Sequence, residues 1–214
     1  MDVLETRVAR ICGVAGPVAL AAYFVAPAVL GWPYAGAPVS ALTAYALDHE
    51  SLFYAGAWLQ ATGTLLCVIF FLALVRFAGA TARLPGLVLI VSATALLAIV
   101  LIESALLIAV PMAAAPGDAA TVGTTFALSN GVFVRVFPLA PSSVTYVALG
   151  LVLSGSRILP RAFGYAALAI GLAFEAGGVL AIFINGALIF LAALAAGQAL
   201  WVAGAAIALG RPAR

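Results

Sequence analysis

Two glutamates lie inside long apolar segments, where a carboxylate is costly. Glu103 lies in the segment 85–111 and Glu175 in the segment 161–183, each about eight residues before the outer end. A carboxylate in the hydrocarbon of a membrane must be paired or protonated, so such a residue is a candidate for function. Because burial disfavours the charged form, we expect one of the two glutamates to hold a proton. It would then serve as a general acid or as a proton carrier.

Two further polar side chains lie at a similar depth in other apolar segments. Gln60 is about eight residues from the outer end of its segment, and Arg135 is about six residues into its own. At about 1.5 Å per residue, the polar groups lie about 12 Å below the outer boundary. The sequence therefore predicts a buried cluster of Glu103, Glu175, Arg135 and Gln60 in the outer half of a helical bundle.

The helix faces that carry these groups are polar or small. Gln60 shares a face with Thr64 and Cys67. Glu175 shares a stripe of small residues, which lets another helix approach closely and indicates a face turned toward protein. The members of this stripe are Gly164, Gly171 and Gly178.

Two aromatic residues complete the candidate ligand-binding set. Tyr146 continues the polar face of the helix that carries Arg135, and Trp58 lies near the outer end of the second apolar segment. Aromatic side chains near a membrane boundary are typical of an interfacial belt, and here they could also line the mouth of a pocket. The aromatic residues near this boundary are Trp32, Tyr34, Tyr45, Tyr54 and Trp58.

Two other interpretations of the cluster stay open at this point. Arg135 could extend to the outer headgroups, as long cationic side chains near helix ends do. Glu103 and Glu175 could form hydrogen bonds between helices without binding any ligand. Full activity of variants with glutamine at both positions would favour this structural role.

The outer segment Asp48-His49-Glu50-Ser51 precedes the second apolar segment. Carboxylates and imidazole can ligate metals, but consecutive residues rarely converge on one ion. Acidic groups are favourable at a helix N-terminus, so we expect Asp48 or Ser51 to cap this helix, and we predict no metal site.

The composition dictates the kind of elements that must position these groups. Of the 214 residues, 66% are hydrophobic and 7% are charged, and the mean hydropathy is +1.27. Soluble domains carry about 25% charged residues, so lipid is the solvent that suits this surface. We predict an all-α, polytopic transmembrane bundle that forms a single domain over residues 1–214. Its six spans are expected at about 11–31, 52–77, 85–111, 129–153, 161–183 and 187–209.

The arginines predict the orientation of the bundle. With six spans, eight of the nine arginines fall on one side and Arg135 alone falls toward the other. Positive residues collect in the cytoplasm, so both termini are expected inside, in a bacterial inner membrane. The eight are Arg7, Arg10, Arg76, Arg83, Arg157, Arg161, Arg211 and Arg214. Pro138 and Pro141 interrupt the fourth span and predict a kink there.

Several classes of function are excluded. The chain has no lysine, which excludes a Schiff base, and one histidine, His49, which excludes a haem with two histidine ligands. Cys12 and Cys67 form no C-x-x-C pair, so we expect no thiol redox chemistry of the quinone-reductase kind. Nucleotide-binding loops, hydrolase motifs and basic clusters for nucleic acid are also missing, and we predict no cofactor.

Short segments of the chain resemble a bacterial family of six-span membrane proteins of unknown function. They are Arg7-Val8-Ala9-Arg10-Ile11-Cys12-Gly13, Leu52-Phe53-Tyr54-Ala55-Gly56 and Ile158-Leu159-Pro160-Arg161-Ala162-Phe163-Gly164. The likeness covers most of the chain and implies the same topology, but it implies no catalytic residue.

Three functions are compatible with these patterns. The first is a protein that binds or transports a lipid-like or amphipathic small molecule, with a proton-linked step as one form. The second is an intramembrane enzyme with Glu103 or Glu175 as general acid, such as a terpene or prenyl-lipid cyclase or isomerase, which rests on architecture alone. The third is a structural or regulatory membrane subunit. Membrane lipid is the expected partner in each case, and the oligomeric state is left open.

Overall fold

The computed structural model describes residues 2–31, 33, 37–184 and 187–209, and within these ranges it contains helices and no strand. The helices are α1 (Val3–Leu30), α2 (Val39–Asp48), α3 (Glu50–Phe77), α4 (Leu84–Ala114), α5 (Ala119–Gly131), α6 (Ser143–Ser154), α7 (Arg161–Phe183) and α8 (Ala187–Ala208). The side chains of Trp32 and Tyr34, the predicted turn at Asn185–Gly186, and Arg211 and Arg214 lie outside the described residues.

The apolar helices are of the membrane-spanning kind. Helices α1, α3, α4 and α7 are each long and apolar enough to cross a membrane, and α5 with α6 makes a fifth crossing if the bent pair is one span. In α8, the described apolar part is shorter, Ala193–Ala208. The prediction of an all-α bundle of apolar helices is therefore confirmed.

The long helices form a closed ring. Helix α1 packs against α3, α3 against α4, α4 against α6, α6 against α7, α7 against α8, and α8 returns to α1. The short helices α2 and α5 pack against α4 near its C-terminal half. Large aromatic side chains fill the interior of the ring, with Tyr146 in edge contact with both Phe71 and Trp201. This arrangement turns one face of each long helix toward a common interior.

The fourth predicted span is broken where the prolines predicted a kink. Residues Val132–Val136 and Pro138–Ser142 form two π-helical turns between α5 and α6, and the two halves are bent by 41°. Proline has no N–H to donate to the helical ladder and its ring displaces the preceding carbonyl, which explains a wider turn here. We call residues 132–142 the break.

Helical structure extends into the segment between the third and fourth expected spans, residues 112–128. Helix α4 continues through Pro111 to Ala114, and α5 begins at Ala119, ten residues before the predicted start at 129. The Asp118 side chain accepts a hydrogen bond from the Thr121 N–H and caps α5. The threonines and serine of α5 lower its hydropathy, and this made a helix resemble a loop.

The outer segment also contains a helix that the sequence did not predict. Helix α2 ends at Asp48, and His49 joins it directly to α3, which begins at Glu50. No side chain caps α3, so the expected cap by Asp48 or Ser51 is wrong. The His49 ring stacks on Tyr45 at 4.3 Å between ring centroids. This contact fixes the corner between the two helices.

Glycines bring α7 very close to α6, as their stripe predicted. A methyl group added at Gly171 would lie 2.7 Å from the Val147 nitrogen and 2.8 Å from the Ser143 oxygen. At Gly164 it would lie 2.6 Å from the Ser154 hydroxyl oxygen. Because both partners at Gly171 are backbone atoms, the two helices are in contact through their main chains.

Candidate functional site

Glu103 lies at the centre of a polar cluster between four helices. Its side chain is 4% exposed and that of Gln60 is 5% exposed. The Gln60 amide donates a hydrogen bond to Glu103 Oε2. Tyr23 of α1 and Ser129 of α5 donate to Glu103 Oε1 from 3.5 Å and 3.4 Å. We call these residues, together with Ser104, the Glu103 cluster.

The cluster has a carboxylate and no cationic side chain. Ser104 donates a hydrogen bond to the Gln60 carbonyl oxygen at 3.3 Å. Besides the Glu103 carboxylate, the cluster therefore contains one amide and three hydroxyl groups. Among the described residues, the one ion pair joins Arg76 to Glu5 at 2.8 Å, and both side chains are well exposed. A buried carboxylate without a cationic partner must gain its neutralising charge from a proton or a bound cation.

A small cavity lies in the interior of the ring beside the cluster. It has a volume of about 40 Å³, and a cavity needs about 10–15 Å³ to hold one water molecule. Gln60, Thr64 and Cys67 line it together, which confirms their predicted common face. Tyr146, which is 1% exposed, and Gln198 of α8 form other parts of the wall. Gln198 Oε1 is buried and has no hydrogen-bond partner among the described residues.

Glu175 does not join the Glu103 cluster. It is exposed on the outer surface of the ring, where its carboxylate accepts a hydrogen bond from the Ser143 hydroxyl at 2.7 Å. Its glycine stripe faces α6, and the glutamate lies at the edge of that contact. Glu175 also lines a shallow lateral cavity of about 330 Å³ with Leu84 and Leu172.

Arg135 is likewise exposed on the outside of the ring. The expectation of one buried cluster of four is therefore wrong for both Arg135 and Glu175. A similar depth along the spans did not show that the four side chains meet, because depth does not determine the direction in which a side chain points from its helix. The rotation of α7 is set by the glycine contact, and that of the break is set by its π-helical turns.

Arg135 instead lies beside a large groove between α4 and the break. This lateral groove has a volume of about 670 Å³, and its wall is aliphatic except for Arg135 and the buried Ser92. Volumes of about 300–1,000 Å³ with few polar groups are typical of sites for small molecules. The groove is lined by Leu87, Val88, Val91, Ser92, Ala95, Ile99, Arg135, Val136, Ala140, Pro141 and Val144.

The aromatic candidates have different surroundings. Tyr146 lines the interior cavity together with Gln60, whereas Arg135 lies outside that cavity. Trp58 is 65% exposed and lines none of the cavities described above, as a residue of an interfacial belt would be. A ligand-binding role for either residue stays a prediction.

Four polar residues of the cluster and the cavity were not predicted from the sequence: Tyr23, Ser104, Ser129 and Gln198. Tyr23 and Gln198 each interrupt an apolar segment, which is the signal that identified Gln60 and Glu103. Ser129 was placed at the outer boundary of the fourth span because α5 was read as a loop.

Comparison with protein families, with curated proteins and with solved structures gives no match to this chain. The chemistry of the site therefore has to be inferred from the geometry. Among the cavities described above, none is lined by Glu103, and Glu175 lines only the shallow lateral cavity, so no cavity brings the two carboxyl groups to one substrate. Of these cavities, the lateral groove has the arrangement best suited to binding.

Proposed function

We propose that this protein binds an anionic, lipid-like molecule in the lateral groove. The observation that carries the proposal is a long aliphatic wall with a single arginine. Such a groove matches a molecule with an apolar tail and a negatively charged headgroup. Arg135 would form charge-assisted hydrogen bonds with a phosphate or carboxylate, and α4 with the break would hold the tail.

The exposure of the apolar groove wall on the outside of the ring supports this ligand class. Val91 and Leu87 are widely exposed on the outer surface of the ring, where acyl chains would reach them directly. A ligand that is already dissolved in the bilayer enters such a groove from the side. A water-soluble substrate would need a path through the apolar helices.

We further propose six crossings with both termini in the cytoplasm of a bacterial inner membrane. The closed ring supports this number, with α1, α3, α4 and α7 as four crossings, α5 and α6 together as one bent crossing, and α8 as a sixth. The one-sided distribution of the arginines supports the orientation. Arg135 then lies toward the outer leaflet.

Binding of phosphatidylglycerol tests the function. Purified protein in detergent is mixed with phosphatidylglycerol or phosphatidylcholine, and native mass spectrometry counts the lipids that stay bound. We expect one retained phosphatidylglycerol and weaker retention of phosphatidylcholine. Arg135→Gln should lower the affinity at least about tenfold, since a hydrogen bond to a charged group contributes about 1.5–3 kcal/mol. Arg157→Gln removes an exposed arginine outside the groove and should have no effect.

A second pair of variants tests the groove itself. Ala95→Trp places an indole in the groove and should abolish retention of the lipid. Ala105→Trp is the matched control, because Ala105 is an exposed alanine of the same helix that lies outside the groove. Equal retention by all four variants, or equal retention of the two lipids by the native chain, would contradict the proposal.

A further inference from the structure

A second groove lies on the outside of the ring, between the start of α1 and the end of α8. It has a volume of about 910 Å³, and Arg7 and Arg10 line it together with aliphatic side chains of both helices. None of its lining residues belongs to the lateral groove, to the interior cavity or to the Glu103 cluster. We call it the α1–α8 groove.

Small residues form the contact between the two helices beneath this groove. A methyl group added at Gly13 would lie 2.6 Å from the Ala206 Cβ atom, so the helices approach each other closely. Ala206 is buried in this contact and also lines the groove, whereas its neighbour Ile207 is exposed. The groove is therefore the outer side of a close helix contact, and its floor is packed protein.

The α1–α8 groove has a charged end and an apolar end. Arg7 and Arg10 lie just before the first expected span, and the α1 wall continues through Ile11 and Val14 to Val18. At about 1.5 Å per residue, this wall runs about 10 Å along the helix. Its three aliphatic side chains are exposed. A lipid with its headgroup at the arginines would therefore have its acyl chains against the aliphatic wall.

The charge of the groove is positive and has no carboxylate partner among the described residues. Arg7 and Arg10 are three residues apart, so they lie on one side of α1 with their Cβ atoms about 5–6 Å apart. No described carboxylate lines the groove, and the one ion pair of the described residues joins Glu5 to Arg76 instead. The groove therefore offers two positive charges to a ligand that carries two negative charges.

We propose that the α1–α8 groove binds one phospholipid whose headgroup carries two phosphate groups, as that of cardiolipin does. Each phosphate accepts charge-assisted hydrogen bonds from one guanidinium, and the acyl chains lie against the aliphatic wall. Basic pockets between membrane helices on the cytoplasmic side are typical sites for such headgroups. The assignment to the cytoplasmic leaflet follows from the proposed orientation, whereas the binding itself depends neither on that orientation nor on the lipid of the lateral groove.

Retention of lipid by a variant with a blocked lateral groove tests the site. Ala95→Trp protein in detergent is mixed with cardiolipin or phosphatidylglycerol, and native mass spectrometry counts the lipids that stay bound. We expect one cardiolipin per chain. Retention of phosphatidylglycerol should be about fivefold weaker, because its single phosphate leaves one arginine without a partner. Since Ala95→Trp blocks the lateral groove, the result is independent of what binds there.

Arginine variants in the same background locate the headgroup. Arg7→Gln and Arg10→Gln should each weaken the retention of cardiolipin about fivefold, and the two together about thirtyfold. The matched control is the double variant Arg157→Gln, Arg161→Gln. It removes two exposed arginines outside the groove and should have no effect.

Tryptophan variants in the same background test the aliphatic wall. Val14→Trp places an indole in the groove and should remove most of the retained cardiolipin. Val25→Trp is the matched control, because Val25 is another exposed valine of α1 that lies outside the groove. It should retain cardiolipin as the Ala95→Trp background does.

Three outcomes would overturn the proposal. Equal weakening by the two pairs of arginine substitutions would mean that the basic end of the bundle attracts anionic lipid without a specific site. Equal retention of cardiolipin and phosphatidylglycerol would mean that the two arginines do not act on one headgroup. A dimer in the native mass spectrum that Val14→Trp dissociates would mean that a second copy of the chain covers the groove.

Discussion

At the scale of single residues, Glu103 connects three other helices to α4 through one carboxyl group. Its partners Gln60, Tyr23 and Ser129 come from α3, α1 and α5. Each partner loses its own hydrogen bond if the carboxyl group is removed. The stability of the cluster therefore depends on keeping the polar set intact.

The effects of removing Gln60 and of removing Glu103 should not be additive, because the two side chains are hydrogen-bonded to each other. We expect Gln60→Leu to lower the free energy of unfolding by about 1–3 kcal/mol, since it leaves a buried acceptor without its amide donor. The double variant Gln60→Leu, Glu103→Leu should be destabilised by less than the sum of the two single variants, since the hydrogen bond between the two side chains is lost only once. Unfolding in mixed detergent measures both. Thr94→Val, at an exposed hydroxyl of α4, is the control and should change stability by less than about 0.5 kcal/mol.

The sequence identified Glu103 and Gln60 as partners, because a polar side chain inside an apolar segment has few alternatives to another polar side chain. It failed for Arg135 and Glu175. A helix that is apolar on all sides carries no amphipathic pattern, so its rotation about its own axis cannot be read from hydrophobic periodicity. Main-chain contacts such as that at Gly171 decide the rotation.

At the scale of elements, the contact of α6 with α7 and the break in the fourth span determine the shape of the outer surface. The first brings two helices together through glycines. The second bends the chain by 41° and forms one wall of the lateral groove. Both depend on residue types, Gly and Pro, that the sequence displays openly, and both were predicted from them.

A methyl group at the contact of α6 with α7 should separate the helices. We expect Gly171→Ala to destabilise the protein by about 1–3 kcal/mol, because the new atom would meet backbone that cannot move aside. Gly197→Ala is the matched control on α8, where a methyl group meets nothing within 4 Å. It should be neutral or slightly stabilising. Thermal unfolding of the two variants compares them, and an equal Tm would contradict the close contact.

The cap of α5 should respond to pH. Hydrogen bonds from the Thr121 hydroxyl and N–H hold the pKa of Asp118 below the ordinary value of an aspartate, 3.8. The charged cap therefore stabilises the first turn of α5 above pH 3.8, and this contribution is lost as the pH falls through the lowered pKa. Hydrogen exchange at residues 119–122, corrected for the intrinsic rate, should accelerate in acid and in Asp118→Ala. Asp118→Asn keeps a cap without a charge, and its exchange should lack the acid step.

At the scale of the whole molecule, four helices that are long and apolar enough to cross a membrane, and the bent pair of α5 and α6, lie in apolar segments that the sequence predicted. The existence of the segments was predictable because each must be about 20 residues long to cross a membrane. The order of the helices around the ring was not predictable, because helices of equal hydropathy do not differ as packing partners. The contacts of their small and polar residues decide which helices are neighbours.

The proposed orientation can be tested at the two ends of α4. In a background with Cys12 and Cys67 replaced by alanine, Thr81→Cys and Ala115→Cys place thiols at exposed positions before and after this helix. A membrane-impermeant thiol reagent on intact cells should label Ala115→Cys and should reach Thr81→Cys only after the membrane is opened. Labelling of both before permeabilisation, or of Thr81→Cys alone, would contradict the orientation.

The closure of the ring by α8 has a consequence for the order of synthesis. Helix α8 supplies Gln198 and Val202 to the wall of the interior cavity and packs between α7 and α1. Until α8 has been synthesised and has packed against α7 and α1, the cavity lacks one wall and Gln60 is open on that side. The nascent chain therefore has a lateral exit that the finished protein lacks, and a chain shortened before α8 would keep it.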